Sequence, residues 1–304
     1  MISVIIPTFR RVDSLLKTLE SLNHQTSKNF EVIVVNDDPS RPLVLDESIY
    51  TYPVRTINND VNMGVGFSRN KGVQQSRFNW ISFLDDDDFY RNDKIEVLSG
   101  IIANETDIDF IYHPIHYEYP NEGVSYYTRP MKNISLNDIL ITNVLGGTPS
   151  YTFRKALYQE IGGFDTNLVA LEDYDLAIRI IKSGTHIKYL DEPLSHCMAI
   201  TKSEGLSKDV KKAYRAFEQL EEKHAGDFAG LPPHKKKERE AAKNSLIAFT
   251  FLLNLNRKLS KFYLRAFLWS FKSRYLLAAI IGFVDPKLLI IIKGKRVKKE
   301  LKSI

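Results

Sequence analysis

The stretch WISFLDDDDFY (residues 80–90) runs an apolar segment, Trp80 to Leu84, straight into four consecutive aspartates, Asp85 to Asp88. Four adjacent carboxylates repel one another and persist only when solvated or when positive charge sits among them. One reading is a hydrated acidic turn. The other is a cation site at the carboxyl end of a strand, which is where open α/β sheets bind their ligands. The flanking sequence bears on the choice.

Upstream, the chain alternates. Ser3–Ile6, Phe30–Val35 and Asn79–Leu84 are strand-like runs, and Val54–Ile57 forms a shorter one. Between them, Asp13–Leu22 places Leu15, Leu16, Leu19 and Leu22 at helical spacing, Phe67–Gln75 follows a glycine-containing turn, and Lys94–Ala103 reads as a third helix. Strands alternating with helices predict a mostly parallel sheet flanked by helices, and near-continuous apolar strands agree with burial on both faces. Residues 105–207 are less regular. Phe110–Tyr119 reads as a strand, Gly146–Pro149 as a loop, Leu171–Ser183 as a helix and 186–194 as strand-like. Asp209–His224 is an amphipathic helix. Leu231-Pro232-Pro233 breaks it and marks a boundary or hinge before the apolar segments Leu246–Leu255, Phe262–Phe271 and Leu276–Ile292.

The 304 residues suffice for one large domain or two, at an ordinary 43% apolar and 26% charged. A single cysteine, Cys197, excludes an internal disulfide and fits a reducing compartment. The N-terminus has no basic start and reads as a first strand instead of a signal peptide. No apolar run reaches the length of a membrane span. The net charge of +5 conceals a polarity: residues 1–207 hold 19 Lys and Arg against 28 Asp and Glu, and residues 208–304 hold 23 against 9. The basic part is expected to meet something anionic.

Acidic residues recur at Asn36-Asp37-Asp38, at 85–88 and at Glu172-Asp173-Tyr174-Asp175. The last set, at a helix start, also complements the helix dipole. Two sets at strand carboxyl ends line one crevice. Mg²⁺ and Mn²⁺ favour carboxylate oxygens, and Mg²⁺ is typically held by one or two of them plus substrate phosphates. No Walker-type phosphate loop occurs, and Asn62–Gly66 lacks the third glycine of a dinucleotide fingerprint. A phosphate-bearing ligand is therefore expected to be held mainly through a metal.

Taken together, SVIIPTFRR, VIVVNDDPS, NMGVGFSRNKG, ISFLDDDDFY and IGGFDTNLVALEDYDLAIRI occur in the order and spacing of family 2 glycosyltransferases. The chain resembles these inverting enzymes of the GT-A fold over about residues 1–200. The resemblance implies a GT-A catalytic domain at 1–207, with a nucleotide-binding half at about 1–104 and an acceptor half at about 105–207. It implies that Pro7 and Thr8 meet the nucleotide, that Asp37 hydrogen-bonds the base, usually uracil, and that Arg69 lies near the nucleotide-sugar. Asp85, Asp86 and Asp87 occupy the Asp-x-Asp position, with Asp87 on Mn²⁺ or Mg²⁺ and Asp85 or Asp86 on ribose or metal. Asp88 matches a frequent family aspartate, and Pro39 replaces a common glycine. Asp173 matches the catalytic base, and Arg179 is either its recurrent helix partner or a structural ion pair. His196 stands where some GT-A enzymes place a third metal ligand, though a lone histidine is more often structural and imidazole suits Mn²⁺ less well than oxygen. Lys202 is either a diphosphate contact or a solvated lysine. The Tyr117–Tyr127 aromatics are candidates for stacking on sugar, and Trp80 is expected in the core.

The implied reaction moves a sugar from a nucleotide-sugar, of UDP type, to a hydroxyl of a glycan acceptor carried on a lipid, as in bacterial surface polysaccharide synthesis such as O-antigen or capsule. Residues 208–304, helical, basic and aromatic, are read either as helices in the interface of an anionic membrane or as helices packed on the catalytic domain with snorkelling lysines. The first reading places the enzyme on the cytoplasmic face of the cell membrane, with no nucleic acid as partner. Two rival functions stand beside it. A non-catalytic membrane- or nucleic-acid-binding protein has no need of Asp37, Asp87 and Asp173. A nucleotidyltransferase needs a glycine- and base-rich loop after the first strand, and Phe9-Arg10-Arg11 has no glycine.

Overall fold

The computed structural model describes residues 1–202 and 209–301, with side chains through Gly294. The first half alternates as β1 (Ile2–Thr8), α1 (Val12–Leu22), β2 (Phe30–Asn36), β3 (Val54–Asn58), α2 (Val65–Gln75), β4 (Trp80–Phe83), β5 (Phe89–Tyr90) and α3 (Lys94–Asn104). The middle adds β6 (Phe110–Tyr112), β7 (Ile115–Tyr119), β8 (Val124–Tyr127), α4 (Leu136–Ile141), β9 (Thr152–Arg154), α5 (Lys155–Glu160), α6 (Glu172–Ser183), β10 (Ile187–Tyr189) and β11 (Ser195–Met198). The remainder is helical: α7 (Val210–Lys223), α8 (Ala225–Ala229), α9 (Pro233–Leu253), α10 (Leu259–Ser270), α11 (Ser273–Val284) and α12 (Pro286–Leu301).

Seven strands form one sheet in the order β10-β6-β9-β4-β1-β2-β3. All neighbours pair in parallel except β9, which runs antiparallel to β4 and β6. Strands β1 and β2 are buried along their whole length, which explains their unbroken Ile and Val content. Helix α2 lies close on them because of Gly72. A Cβ there would collide with Ile5 and come within 3.3 Å of Val35. The mostly parallel α/β sheet flanked by helices that the sequence predicts is what the fold has.

Pro7 is tolerated in a central strand for a register reason. Ile5 accepts from Leu84 N–H on the β4 side, and Pro7 points the same way, beyond the last β1–β4 pair. No ladder donor is lost there.

A second sheet, β5-β11-β7-β8, stands beside the first. Its existence corrects the sequence reading of Phe110–Tyr119 as one strand. The run breaks at His113-Pro114, and its halves join different sheets, because Pro114 has no N–H for a continuing ladder. Residues 186–194 likewise hold only β10, and β11 begins after them. The Leu276–Ile292 segment is two helices, broken at Asp285-Pro286 for the same reason. Pro232-Pro233 opens α9, and the charged stretch 234–240 forms its first turns. Leu220, Phe228 and Leu231 join the core of the large sheet, while Phe217, Ile247, Leu252 and Phe262 pack with Tyr119 and Tyr126 of the small one. Helices α9, α10 and α12 thus join the cluster on the small sheet, α12 directly against β8, and α11 packs on α10 and α12.

Candidate active site

The carboxyl ends of β1, β2 and β4 open onto one cleft. Asp85–Asp88 form a turn closed by Asp88 N–H to Asp85 O at 3.1 Å. Asp86 and Asp88 point inward and are buried, while Asp85 and Asp87 keep about a third of their side-chain surface toward the cleft. Cations sit among the charges. Arg11 Nη1 lies 2.7 Å from Asp87 Oδ2 and 3.3 Å from Asp86 Oδ1. Arg69, itself buried, donates to Asp85 Oδ1 at 2.7 Å. Thr8 Oγ1 donates to Asp86 Oδ2 at 2.7 Å. Burial pushes the Asp86 carboxyl up to about 6, against the pull of Thr8 and Arg11. Burial and the charges of Asp85 and Asp87 push Asp88 well above the carboxylate range, and it accepts Met198 N–H at 3.1 Å.

Asp37 follows directly on β2 and is buried. Its Oδ1 accepts from Asn59 Nδ2 at 2.8 Å and Met63 N at 2.9 Å, and its Oδ2 from Gly64 N at 2.7 Å. A carboxylate has about four acceptor positions, so one remains at Oδ2 for a donor such as a base N–H. The same bonds fasten the loop that leads into α2, so Asp37 has a structural role beside any binding one.

Arg69 joins the two acidic regions. Its Nη1 donates to Glu172 Oε1 at 3.1 Å while its Nη2 holds Asp85. Glu172 and Asp173 begin α6, aimed there by Leu171 in the left-handed conformation, φ 61°. For a bulky residue that conformation costs about 1–2 kcal/mol. Asp173 Oδ1 accepts Tyr174 N–H at 2.8 Å, and Asn143 Nδ2 lies 3.4 Å from its Oδ2. Asp173 keeps a small solvent opening, yet protein surrounds it on most sides. That desolvation, and then the Glu172 charge, push it up to about 7.

Other sequence candidates are placed as follows. Arg179 is a structural ion pair: it holds Asp175 at 2.6 Å and donates to Ile161 O and Gly163 O. Asp175 also receives His224 Nε2 and Lys223 Nζ, each at 2.9 Å, tying α6 to α7. Burial alone would raise Asp175, but the hydrogen bonds from His224 and Arg179 outweigh it and hold the carboxyl far below its usual range. His196 turns its Nε2 toward Glu118 Oε2 at 3.1 Å and packs on His116 at 4.5 Å between ring centroids. The β11–β7 register puts His196 beside His116, with Glu118 on the same face. Trp80 is in the core, with Arg154 over its ring. Lys202 is exposed, and its N–H donates to Leu253 O; residues 203–207 of that stretch lie outside the described residues. Sequence reasoning missed Arg11 and Asn143, and counted Glu172 in an acidic set without giving it a role. Arg11 was visible only as a basic residue following the first strand.

The donor set fits a hard cation shared with a ligand. Asp85 and Asp87 offer carboxylate oxygens to the cleft, and phosphate oxygens commonly complete such a site. It does not fit an all-protein cage, since among the described residues no three His, Cys, Asp or Glu side chains are grouped to hold a metal. A hollow of about 420 Å³ lined by Met1, Arg77, Trp80 and Arg154 lies at the opposite, amino-terminal end of the strands. That is the wrong end for a ligand in an open α/β sheet.

The family model of Glycosyl transferase family 2 matches residues 3–162. An uncharacterized glycosyltransferase of Haemophilus influenzae is 35% identical over 302 residues, covering 96% of this chain and 99% of that protein. Staphylococcal TarS 1–349 (S. aureus), solved in complex with UDP-GlcNAc, superposes with a TM-score of 0.53 at 16% identity, covering 91% of this chain and 90% of TarS 1–349. The mannosyltransferase PcManGT from Pyrobaculum calidifontis, in complex with GDP-Man and Mn²⁺, gives 0.55 at 13% identity, covering 93% and 86%.

Proposed function

This chain belongs to glycosyl transferase family 2, and from that premise we propose that it transfers a sugar from a nucleotide-sugar, of UDP type, to an acceptor hydroxyl with inversion at the anomeric carbon. The observation that carries the reading is the Arg69 bridge. One guanidinium holds both Asp85 of the acidic turn and Glu172, the neighbour of Asp173, which supports a single site for a donor diphosphate and an acceptor proton. The bound molecules named for TarS and PcManGT are both nucleotide-sugars, which supports the donor class.

Each residue has a task in this reading. Pro7 and Thr8 end the strand against which the nucleotide lies, and Asp37 offers Oδ2 to the base. Asp87 and Asp85 hold Mn²⁺ or Mg²⁺; His196, turned to Glu118, is left out of that set. When bound, the ion supplies Lewis-acid stabilisation of charge on the leaving diphosphate. Arg69 holds Asp85 in place and lowers the Asp173 carboxyl toward ionisation. Asp173 accepts the hydroxyl proton as the acceptor oxygen bonds to the anomeric carbon and the carbon–diphosphate bond breaks. A base with a pKa of about 7 suits that work at neutral pH. The acceptor is a glycan hydroxyl, and the biological product we propose is a bacterial surface polysaccharide.

Nucleoside diphosphate release from a panel of UDP-, GDP- and dTDP-sugars, with Mn²⁺ and with EDTA, tests the reading. Slow release from one donor that EDTA stops supports it. Absence of both release and binding for every donor would overturn it.

A further inference from the structure

We propose that the outer face of α10, α11 and the start of α12 is a docking surface for an anionic lipid bilayer. These helices turn different residues inward and outward. Leu259, Phe262 and Ala266 of α10, Ala279 and Gly282 of α11 and Ile290 of α12 are buried against the rest of the chain. The opposite side leaves Leu268, Trp269, Phe271, Leu277, Ile280 and Phe283 in solvent, with Phe271 75% and Phe283 69% exposed. Soluble surfaces seldom gather so many large apolar side chains in one place unless something covers them.

Charge selects the occupant. The sequence holds no acidic residue between Glu240 and Asp285, and Arg265, Lys272 and Arg274 rise from the same helices; the nearest carboxylate is Glu238, 3.6 Å from Lys272, and it offsets only that one of the three cations. A second copy packed on this face by a two-fold axis would bring like charges together, which opposes it. A nucleic acid would meet the cations but leave Leu277, Ile280 and Phe283 without apolar partners. An anionic bilayer satisfies both: apolar side chains enter the acyl boundary, and cations stay at the phosphates. Among the described residues no helix is long and apolar enough to cross a membrane, so the helices lie on it.

The surface is coupled to the cleft through rigid elements. Helix α12 packs on β8, with Ile290 in the cluster around Tyr119 and Tyr126 and Lys293 Nζ 3.6 Å from the Tyr126 ring centroid. Strand β8 pairs with β7, β7 with β11, and β11 with β5, which follows directly on the acidic turn. A protein seated by this face presents its acceptor-side sheet near the bilayer, so the acceptor glycan is one carried on a lipid. That last step rests on the proposed transfer reaction; the docking itself does not.

The test is co-sedimentation of the full chain with phosphatidylcholine vesicles and with phosphatidylcholine–phosphatidylglycerol vesicles. We expect binding to the anionic vesicles only, weakened by salt. Leu277→Ser/Phe283→Ser should lower partitioning about tenfold or more, and Lys272→Gln/Arg274→Gln, which leaves Arg265, should weaken the preference for phosphatidylglycerol. Both double variants change exposed side chains, and circular dichroism with donor-binding measurements checks that they fold and keep the cleft. The proposal is overturned if the wild-type chain stays in the supernatant with anionic vesicles, or if the apolar variant binds as well as wild type. A salt-insensitive dimer that Phe283→Ser dissociates would also overturn it, in favour of a second copy. Donor hydrolysis is read without vesicles, so failure of the docking and failure of the transfer reading are separate results.

Discussion

Replacing Asp173 with Asn should cut turnover sharply and at the same time stabilise the fold, in a pH-dependent way. In the folded chain Asp173 sits at about 7, against an ordinary 3.8. The native state therefore holds a proton there that the unfolded chain has released, across the window from about 4 to about 7. Stability falls as pH rises wherever the native state binds more protons. At about 1.36 kcal/mol per unit, and allowing for partial solvent contact, the ionised carboxylate costs the fold about 2–4 kcal/mol at pH 8. Asn keeps an oxygen for Tyr174 N–H and carries no charge. The variant should gain most of that amount at pH 8 and almost none at pH 4, read by urea unfolding at both pH values. Turnover should drop by about 10²–10⁴, the range for loss of a general base. In the wild type, kcat/KM should rise with pH and level off above about 7. Equal stability of variant and wild type at pH 8 would refute the reasoning, because it would mean that Asp173 ionises without penalty.

Further outcomes follow from other contacts. Arg69→Met leaves Asp85 and Glu172 without their shared cation; it should shift the acid limb of the pH–kcat/KM profile upward, since Arg69 favours ionised Asp173. Gly72→Ala places a methyl against Ile5 and Val35 and should cost about 1–3 kcal/mol in urea unfolding, with donor affinity little changed. Asp175→Ala removes the carboxylate that Arg179, Lys223 and His224 share; Lys223 keeps Asp165, His224 keeps Asp227 and Arg179 keeps two carbonyls, so the cost should be about 3 kcal/mol, the low end for breaking a buried ion pair. Its stabilising share is present above the unfolded carboxyl pKa and is lost as pH falls through the depressed folded one, so wild type and variant should converge in acid.

Much of the sheet was legible because burial on both faces writes itself into composition: Ile2–Thr8 and Phe30–Asn36 leave little room for another reading. The acidic turn was legible for the opposite reason, four charges where an apolar strand ends. What stayed hidden is nonlocal. Nothing near residue 110 states that a strand ending at Tyr112 and one beginning at Ile115 enter different sheets, though Pro114 hinted at a break. Arg69 bridges residues 85 and 172, and periodicity carries no information across that distance. Arg11 looked like an ordinary loop cation until Asp86 and Asp87 were found beside it. Asp175 and Arg179, four apart on one helix, could be paired from spacing, but His224 and Lys223 could not. In the tail, the sequence offered helices on a membrane or helices on the domain. The structure packs α9 and the inner side of α10 on the strands and leaves an apolar outer side.

The central claim is that two groups on one cleft divide the labour: the acidic turn takes the nucleotide diphosphate through a metal, and Asp173 takes the acceptor proton. Equilibrium binding of UDP, measured with Mn²⁺ and with EDTA on wild type, Asp87→Ala and Asp173→Asn, tests that division directly. The account predicts Mn²⁺-dependent binding to wild type, equal binding to Asp173→Asn, and loss of about 10-fold or more in Asp87→Ala, the size of one charge-assisted contact. Binding to Asp87→Ala that matches wild type and ignores EDTA would contradict it.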